Sequence, residues 1–384
     1  MSYEYPKSRA STTKMLKLVV RSRKLFLTGV LIVLAFTTVS YLVKQNTRKR
    51  QARLKQAFKD TDLLVNSLIA KFDPKQKSED SNSGVLSKVN ITQKSDPAPP
   101  SPSSVFEQYF TKASVQVWEY SYMYLIEPMD VCDTVNAEYV VLVLSSASST
   151  ERRQAIRSTW AARAFAKRVV VMFVLGDVAH TSQRLEEESD TYQDILQLEF
   201  RDIYRHLTLK TFAALQWVTE RCSQVEFVVK TDDDVILNLE KLRELVKLEL
   251  EFDKNLILGS SAPNRLVQRE GKWSVRKEDY PFEYYPQYVS GGLYAIGISA
   301  VSKIVDTCKY VPRIPVEDVF ITGIVRKVLK IPVTNSNRFP SWLTRTPRSE
   351  CQFIAGQLVG LHGYGPSKMT DLWQRFDLDD VSGC

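Results

Sequence analysis

Hydrophobic positions change their spacing repeatedly after Glu138, and this pattern predicts an α/β domain. Four short apolar runs predict strands that are covered on both faces of a sheet: Tyr139–Ser145, Arg168–Leu175, Ile195–Phe200 and Glu226–Thr231. Stretches with helical periodicity follow these runs and predict the helices Ser149–Lys167, Thr181–Ser189, Leu207–Arg221 and Leu239–Phe252. Alternation of strand and helix is typical of a mostly parallel central sheet.

The pattern after Asn255 predicts a more mixed region. Three further runs have strand character: Leu256–Ser260, Lys272–Val275 and Tyr288–Ile298. Two stretches have helical character: Val301–Cys308 and Asp318–Leu329. The core of the domain therefore extends over about 138–366, within a folded part that spans 105–384.

An uncharged run of 19 residues, 25–43, stands between two basic segments and is long enough to span a bilayer. It predicts a transmembrane signal-anchor helix after a basic tail, 1–24. A cleaved signal peptide or a buried helix fits the length or the flanking charges less well. The stretch 44–104 is rich in polar residues and proline and predicts a stem, with a glycosylation sequon at Asn90. Seven basic residues flank each side of the run, so charge does not set its orientation.

The net charge of +8 does not indicate a nucleic-acid partner, because the excess lies near the N-terminus. Residues 1–60 contain 14 Lys and Arg against 2 Asp and Glu. The remaining 38 basic and 42 acidic residues leave the folded part slightly acidic. The five cysteines allow up to two disulfides and one free thiol in an oxidising compartment, or buried thiols in a reducing one. They are Cys132, Cys222, Cys308, Cys351 and Cys384.

Three adjacent carboxylates, Asp232, Asp233 and Asp234, follow the fourth predicted strand. Like charges at a strand end repel one another unless a partner offsets them, and a hard divalent cation with oxygen ligands does so. A solvated acidic turn is the alternative. Because ligands of parallel sheets bind at the carboxyl ends of the strands, the position favours a cation site.

Two further segments carry candidate anion-binding residues. Arg152 and Arg157 lie near the start of the first predicted helix, where a cation is unfavourable against the helix dipole unless it meets an anion such as a diphosphate. A solvated basic face is the alternative. Asp202 precedes the helix that contains Lys210. The aspartate suits a helix cap, and the lysine is either a ligand contact or an ordinary residue of the helix start.

Three later motifs add candidate chemistry. Gly291 and Gly292 follow a cluster of tyrosines, a pattern that suits close backbone approach to a sugar or a simple bulge. Glu317 and Asp318 begin a predicted helix, where they serve as caps or as a general base. His362 lies in a glycine-broken strand and is a structural histidine or an additional metal ligand.

The order of these motifs resembles the β-1,3-galactosyltransferase-like group of family 31 glycosyltransferases over about residues 138–366. The motifs are RxxIRxTW, EFxDxYxxLTLKT, KTDDDV, YPxYxxGGxY, EDVF and HGY. The resemblance implies a GT-A-like fold and a Golgi type II layout, with a cytosolic N-terminus and a lumenal catalytic domain. It also implies inverting transfer from a UDP-sugar to the 3-hydroxyl of an acceptor glycan on a glycoprotein or glycolipid, forming a β-1,3 linkage.

The resemblance further implies a role for each motif residue. Asp234 and His362 would hold manganese, or magnesium, and Asp318 would be the general base. The remaining donor-binding positions are Arg152, Arg157, Asp202, Lys210, Asp232, Asp233, Gly291, Gly292 and Glu317. Galactose is the expected sugar, with N-acetylglucosamine and N-acetylgalactosamine as alternatives. A non-catalytic Golgi paralogue is the alternative function, and the intact DDD, EDV and HGY motifs argue against it. A metal-dependent phosphohydrolase would need additional His and Asp clusters that the sequence lacks. The expected partners, besides donor, acceptor and Golgi membrane, are a second copy of this chain or other glycosyltransferases.

Overall fold

The computed structural model describes residues 106, 109–119, 122–177, 183–263, 265–341 and 348–380. They belong to the second of two compact units, Ser95–Cys384. The predicted tail, anchor and stem, and Asn90, lie outside the described residues. Among the residues that are described, none of the helices combines the length and apolar character needed to cross a bilayer.

The described strands and helices alternate largely as the hydrophobic pattern predicts. The strands are β1 Tyr124–Ile126, β2 Tyr139–Leu144, β3 Val169–Asp177, β4 Ile195–Arg201, β5 Phe227–Asp232, β6 Val235–Leu237, β7 Ile257–Ala262, β8 Tyr288–Gly297, β9 Val333–Asn335 and β10 Gly360–His362. The α-helices are α1 Val131–Val135, α2 Thr150–Ser158, α3 Gln183–Tyr192, α4 Leu207–Arg221, α5 Leu239–Leu250, α6 Ile298–Cys308, α7 Arg326–Leu329, α8 Glu350–Ile354 and α9 Pro366–Asp377. A π-helix, Val319–Val325, precedes α7.

The central sheet runs in the order β1-β4-β3-β2-β5-β8-β7-β9. The neighbours β4, β3, β2 and β5 are parallel, which confirms the predicted parallel centre. β8 pairs antiparallel with both β5 and β7, so this side of the sheet is mixed. A second, two-stranded sheet joins β6 and β10 and covers the end of β5.

Burial of β2 on both faces explains why its residues are apolar without interruption. All six of them are buried, and alternate side chains enter two different core layers. Val140 and Leu142 pack with the layer that contains α4 and α6, whereas Val141 and Val143 pack with the layer that contains α2 and α5. A strand with helices on both faces has no solvent side, and therefore shows no alternation.

Three segments differ from the predicted elements. The first predicted helix ends at Ser158 instead of Lys167, because Thr159 leaves the helical conformation and donates from its hydroxyl to the Ala155 carbonyl at 2.6 Å. The predicted strand Lys272–Val275 is a loop. The predicted helix Asp318–Leu329 contains seven residues of π-helix, a form that hydrophobic periodicity does not distinguish from an α-helix.

The cysteines follow the pattern of an oxidised protein. Cys132 in α1 forms a disulfide with Cys222 at the end of α4. Cys351 is also disulfide-bonded, and Cys308 is a buried free thiol. These observations agree with the prediction of disulfides and one remaining thiol, and Cys384 lies outside the described residues.

An aromatic segment before the first strand packs against the back of the domain. Trp118 donates its indole N–H to the carbonyls of Cys308 and Val311, at 3.0 Å each, and its ring packs edge-on against Phe212. The Ala113 amide donates to the Tyr310 carbonyl at 2.9 Å. This segment is therefore part of the folded domain, as the predicted start near residue 105 requires.

We expect Trp118→Ala to lower the free energy of unfolding by about 2–3 kcal/mol, because it removes a half-buried ring and the indole N–H that the Val311 carbonyl accepts. Urea denaturation of the purified domain measures the change. Trp118→Phe keeps an aromatic ring but removes the N–H and part of the indole, so a smaller loss is expected for this control. Equal stability of Trp118→Ala and the wild type would show that the segment does not support the fold.

Candidate active site

The carboxyl ends of the parallel strands meet at one edge of the sheet, and a polar residue stands at each of them. Ser145 follows β2, Asp177 ends β3, Asp202 follows β4 and Asp232 ends β5. This arrangement arises because parallel strands present all their carboxyl ends at the same edge. The three acidic residues predicted as a cation site therefore lie where a ligand of such a sheet is expected.

The small sheet brings His362 to the acidic turn. β10 pairs antiparallel with β6 so that His362 stands opposite Val235, the residue after Asp234. The amides of Gly363 and Tyr364 both donate to the Asp234 carbonyl, at 3.0 and 2.9 Å. The main chain on both sides of the turn is thus fixed by a segment more than 120 residues away.

Asp232, Asp234 and His362 have the geometry of a divalent-cation site. One ligand atom from each lies within 4.8 Å of the others. His362 Nε2 lies 3.2 Å from Asp234 Oδ1 and 3.9 Å from Asp232 Oδ2. Asp234 Oδ1 is buried and makes no hydrogen bond within the described residues. Two carboxylates and one imidazole suit manganese or another borderline divalent ion, so these side chains fit the predicted metal.

Asp233 points away from this cluster. Its carboxylate accepts from the Ser145 hydroxyl at 2.8 Å and lies 3.6 Å from Arg152 Nη1. Burial raises the pKa of Asp233, although Ser145 and Arg152 both favour the charged form. The triplet therefore divides differently from the prediction: Asp232 groups with Asp234 and His362, and Asp233 groups with Arg152. The buried Arg152 Nη1 makes no hydrogen bond within the described residues and remains able to bind an anion.

Asp202 and Lys210 tie three strand ends together. Lys210 Nζ lies 2.6 Å from Asp202 Oδ1 and 2.8 Å from the Ser145 carbonyl, and it is almost completely buried. The other Asp202 oxygen accepts from the Gly176 amide at 3.1 Å. Burial lowers the pKa of Lys210, whereas Asp202 opposes that shift. The pair therefore holds the Ser145 carbonyl, and the Ser145 hydroxyl in turn binds Asp233. Neither side chain of the pair caps α4.

Lys230 is a buried cation between the acidic turn and β8. Its Nζ lies 2.6 Å from both Asp232 Oδ1 and the Gly291 carbonyl, and 3.5 Å from Glu317. Burial disfavours the charged form, but Asp232 and Glu317 outweigh that effect and raise the pKa of Lys230. Glu317 is buried as well and accepts from the Tyr294 hydroxyl at 2.5 Å. This network offsets part of the negative charge of the site from within the fold.

Asp318 is held at both carboxylate oxygens by backbone amides. Oδ1 accepts from Val319 and Oδ2 accepts from Gly291, each at 2.9 Å. The Thr322 hydroxyl donates to the Asp318 carbonyl at 2.6 Å and accepts from the Val289 amide at 2.9 Å. The first turn of the π-helix is thereby fastened to β8, and a π-helix is a feature that is often found at functional sites.

Burial, followed by the charge of Glu317, raises the pKa of Asp318 to about 7. The amides of Val319 and Gly291 and the charge of Lys230 oppose this shift. The residue as a whole nevertheless keeps some exposure to solvent. A carboxylate with a pKa near neutrality that a substrate can reach is suited to act as a general base.

The glycine pair explains how β8 accommodates two side chains of the site. A Cβ on Gly291 would lie 3.0 Å from Asp318 Oδ2, and a Cβ on Gly292 would lie 2.8 Å from His362 Cδ2. Real Cβ atoms do not approach a side chain so closely without displacement. The two glycines therefore leave room for the candidate base and the candidate metal ligand to pack against adjacent residues of one strand.

Arg157 does not join this cluster. Its guanidinium forms ion pairs with Glu188 and Asp194 at 2.8 Å each, and it lies over the rings of Tyr192 and Phe173. These contacts hold α2 against α3 and the start of β4. In this structure Arg157 is therefore engaged in packing, and its contact with the nucleotide stays a prediction.

Three residues of the site were not anticipated from the sequence: Ser145, Lys230 and Tyr294. Lys230 had a detectable signal, because a lysine within an otherwise apolar strand has to find a buried partner. Ser145 is the last residue of a predicted strand, and a serine at that position is only a weak indication of a functional residue. Tyr294 reaches Glu317 across two elements, and no local pattern indicates that contact.

The fold and the site together define an α/β protein with an acidic, histidine-containing cluster at the strand ends and a sheltered carboxylate beside it. A family model described as Galactosyltransferase matches residues 151–337. Human β-1,3-galactosyltransferase 5 is 32% identical over 252 residues, which cover 64% of this chain and 80% of that protein. The chain belongs to this galactosyltransferase family.

Two further relatives show the range of the family. Mouse β-1,3-galactosyltransferase 2 is 29% identical over 276 residues, which cover 69% of this chain and 64% of that protein. Human UDP-GalNAc:β-1,3-N-acetylgalactosaminyltransferase 1 is 32% identical over 255 residues, which cover 63% of this chain and 75% of that protein. The match thus spans just under two thirds of the mouse relative, and the relatives differ in the sugar that their names specify.

Proposed function

We propose that this protein transfers galactose from UDP-galactose to the 3-hydroxyl of an acceptor sugar and forms a β-1,3 linkage with inversion at the anomeric carbon. The observation that carries the proposal is the placement of Asp318 and His362 against the adjacent glycines of β8. A base and a cation ligand that contact neighbouring residues of one strand suit a pair of substrates, one with a diphosphate and the other with a reacting hydroxyl. Membership of the galactosyltransferase family supports the same reaction class.

Different residues of the site have different roles in the proposed reaction. Asp318 accepts the proton of the acceptor 3-hydroxyl as its oxygen attacks the anomeric carbon from the face opposite UDP. The new bond joins that oxygen to the anomeric carbon, and the bond to the phosphate oxygen breaks with its electron pair leaving on UDP. Arg152 supplies a cation beside Asp233 for the departing diphosphate. Lys230 and Glu317 hold Asp232 and β8 in place.

Asp232, Asp234 and His362 would hold manganese, or magnesium, in this proposal. When bound, the cation supplies positive charge that offsets the charge of the diphosphate. The wider arrangement follows the GT-A-like layout, with the nucleotide at the carboxyl ends of the parallel strands.

The cellular setting is also proposed: a single-pass type II Golgi membrane protein with its catalytic domain in the lumen. The uncharged run 25–43 supports an anchor near the N-terminus. The disulfides of Cys132–Cys222 and Cys351 support an oxidising compartment for the catalytic domain. Acceptors on glycoproteins and glycolipids are accessible in that compartment.

The test of the proposed function is a panel of UDP-galactose, UDP-N-acetylglucosamine and UDP-N-acetylgalactosamine, each incubated with manganese and with or without acceptor glycosides. We expect acceptor-dependent release of UDP that is greatest with UDP-galactose. A preference for one of the other two donors would revise the sugar and retain the reaction class. A lack of acceptor-dependent UDP release with every donor would contradict the proposal and favour a non-catalytic role.

The pKa of Asp318 also predicts the acid limb of the pH profile. Because the protonated carboxyl cannot accept a proton, kcat/KM is expected to fall by about tenfold per pH unit below about pH 7. Glu317→Gln removes a charge that raises this pKa, so it should move the limb to lower pH. Measurement of kcat/KM from about pH 5 to about pH 8 checks both expectations, and a flat wild-type profile would contradict the assigned base.

A further inference from the structure

A group of exposed aromatic residues stands beside the candidate base and has no place in the chemistry described above. Trp273 is 49% exposed and Tyr204 is 36% exposed. The ammonium group of Lys272 lies 4.5 Å from the centre of the Tyr204 ring and 5.8 Å from the Trp273 ring. Single exposed apolar residues are ordinary, but these two rings share one ammonium group. Together with Lys272 they form a surface that we term the aromatic platform.

The aromatic platform is built on two segments that also build the site. Tyr204 follows β4 at the same sheet edge as Asp202 and the acidic turn. Trp273 belongs to the loop 265–285, which leads directly into β8 and its glycine pair. Arg205 donates to the Ser274 carbonyl at 3.5 Å, so the two segments meet. Asp318 is near enough for its charge to contribute to raising the pKa of Tyr204 to about 12, an effect in which burial is the larger cause.

The loop that holds Trp273 is ordered by its own contacts. Arg269 donates to the carbonyls of Val275, Tyr280 and Phe282 at distances of 2.6–2.9 Å. The Tyr285 amide donates to the Arg265 carbonyl at 2.9 Å. A rigid loop keeps the Trp273 ring in a fixed position, which lowers the entropy cost of binding a ligand against it.

The loop that holds Trp273 ends in a buried hydroxyl that has no hydrogen-bond partner among the described residues. Tyr285 is 5% exposed, and its Oη makes no hydrogen bond within the described residues. Burial and the charge of Asp318 raise the pKa of Tyr285, which places the phenol in the electrostatic reach of the candidate base. An unsatisfied buried hydroxyl costs about 1–3 kcal/mol, and a ligand hydroxyl that pairs with it would recover part of that cost.

We propose that the aromatic platform is the acceptor subsite, on which the pyranose ring of a neutral acceptor glycan stacks against Trp273 and Tyr204 while its 3-hydroxyl faces Asp318. The inference rests on the proposed transferase function and adds the residues that select the acceptor. The apolar face of a pyranose matches an aromatic ring, and its hydroxyls match the Lys272 ammonium and the Tyr285 hydroxyl. The platform binds the acceptor and leaves the donor to the acidic turn.

The test compares acceptor kinetics of Trp273→Ala with those of Tyr284→Ala. Tyr284 is a matched control because it is 47% exposed on the same loop and lies outside the aromatic platform as defined. The acceptor probes are methyl β-galactoside and methyl β-N-acetylglucosaminide, since an aryl glycoside would bring its own stacking ring. We expect Trp273→Ala to raise the KM for the glycoside by about tenfold, with unchanged affinity for UDP, and Tyr284→Ala to leave both constants unchanged.

Two further variants separate binding from folding. Trp273→Phe retains an aromatic face and should recover most of the acceptor affinity. Tyr285→Phe removes a hydroxyl that makes no hydrogen bond within the described part of the chain, so it should leave the melting temperature unchanged or higher and lower kcat/KM for the glycoside several-fold. An unchanged glycoside KM in Trp273→Ala would overturn the platform while the transferase function stands. Absence of transfer by the wild-type protein to either glycoside would contradict the transferase function, and the platform with it.

Discussion

Replacement of Asp234 by alanine is expected to reduce sugar transfer by at least about a thousandfold at every manganese concentration. Asp234 Oδ1 is buried, makes no hydrogen bond within the described part of the chain and lies 3.2 Å from His362 Nε2. Its loss removes one of only three candidate cation ligands in this cluster. Two remaining ligands cannot hold the ion firmly enough to offset the charge of the departing diphosphate.

The measurement combines transfer activity with calorimetric titration of manganese. Wild-type protein should bind the ion and Asp234→Ala should not, so the binding readout does not depend on turnover. Asp371, an exposed aspartate on α9, provides the control, and Asp371→Ala is expected to match the wild type in both assays. Full turnover of Asp234→Ala in excess manganese would contradict the assignment of this residue as a ligand.

Replacement of Asp318 by asparagine is expected to lower kcat by about 10²–10⁴-fold while the affinity for UDP stays unchanged. Asparagine has the same shape, and its carbonyl oxygen can still accept from Val319 or Gly291. Asparagine cannot take the proton from the acceptor hydroxyl, so only the rate of the chemical step should fall. The buried cluster of Lys230 and Glu317 remains in place to position β8.

Rapid-quench kinetics with UDP-galactose and a methyl glycoside measure the chemical step, and UDP titration measures binding. Asp306→Asn, on an exposed position of α6, is the matched control and should leave both unchanged. Near wild-type turnover of Asp318→Asn with intact UDP binding would remove Asp318 from the mechanism. Loss of UDP binding in this variant would instead indicate that Asp318 supports the donor site.

The parallel half of the fold was predictable because burial on both faces leaves a clear trace in the sequence. β2 is a continuous apolar run, β5 is apolar as far as Lys230, and the residues after both strands lie at the carboxyl edge of the sheet, as predicted. Short elements were less accessible to prediction. β6 has only three residues, and its pairing with β10 depends on a partner far along the chain. Local hydrophobic periodicity therefore cannot predict the pairing of β6 with β10.

The candidate site shows the same division between local and long-range information. The sequence drew attention to Asp234, Asp318 and His362, and the structure brings all three to the end of β5 and the adjoining glycines of β8. It could not separate Arg152 from Arg157, which are five residues apart in α2, because the spacing alone does not show which faces the acidic cluster and which faces Glu188. Side-chain direction at that scale is determined by packing of α2 against its neighbours rather than by residue spacing.

The most direct test of the central claim is the anomeric configuration of the product, observed by proton NMR while the wild-type protein consumes UDP-α-galactose. Attack by an acceptor hydroxyl that Asp318 deprotonates, on the face opposite UDP, predicts a β-galactoside linked to the 3-position of methyl β-N-acetylglucosaminide or methyl β-galactoside. An α-linked product, or free galactose formed at the same rate with and without the glycoside, would contradict the account.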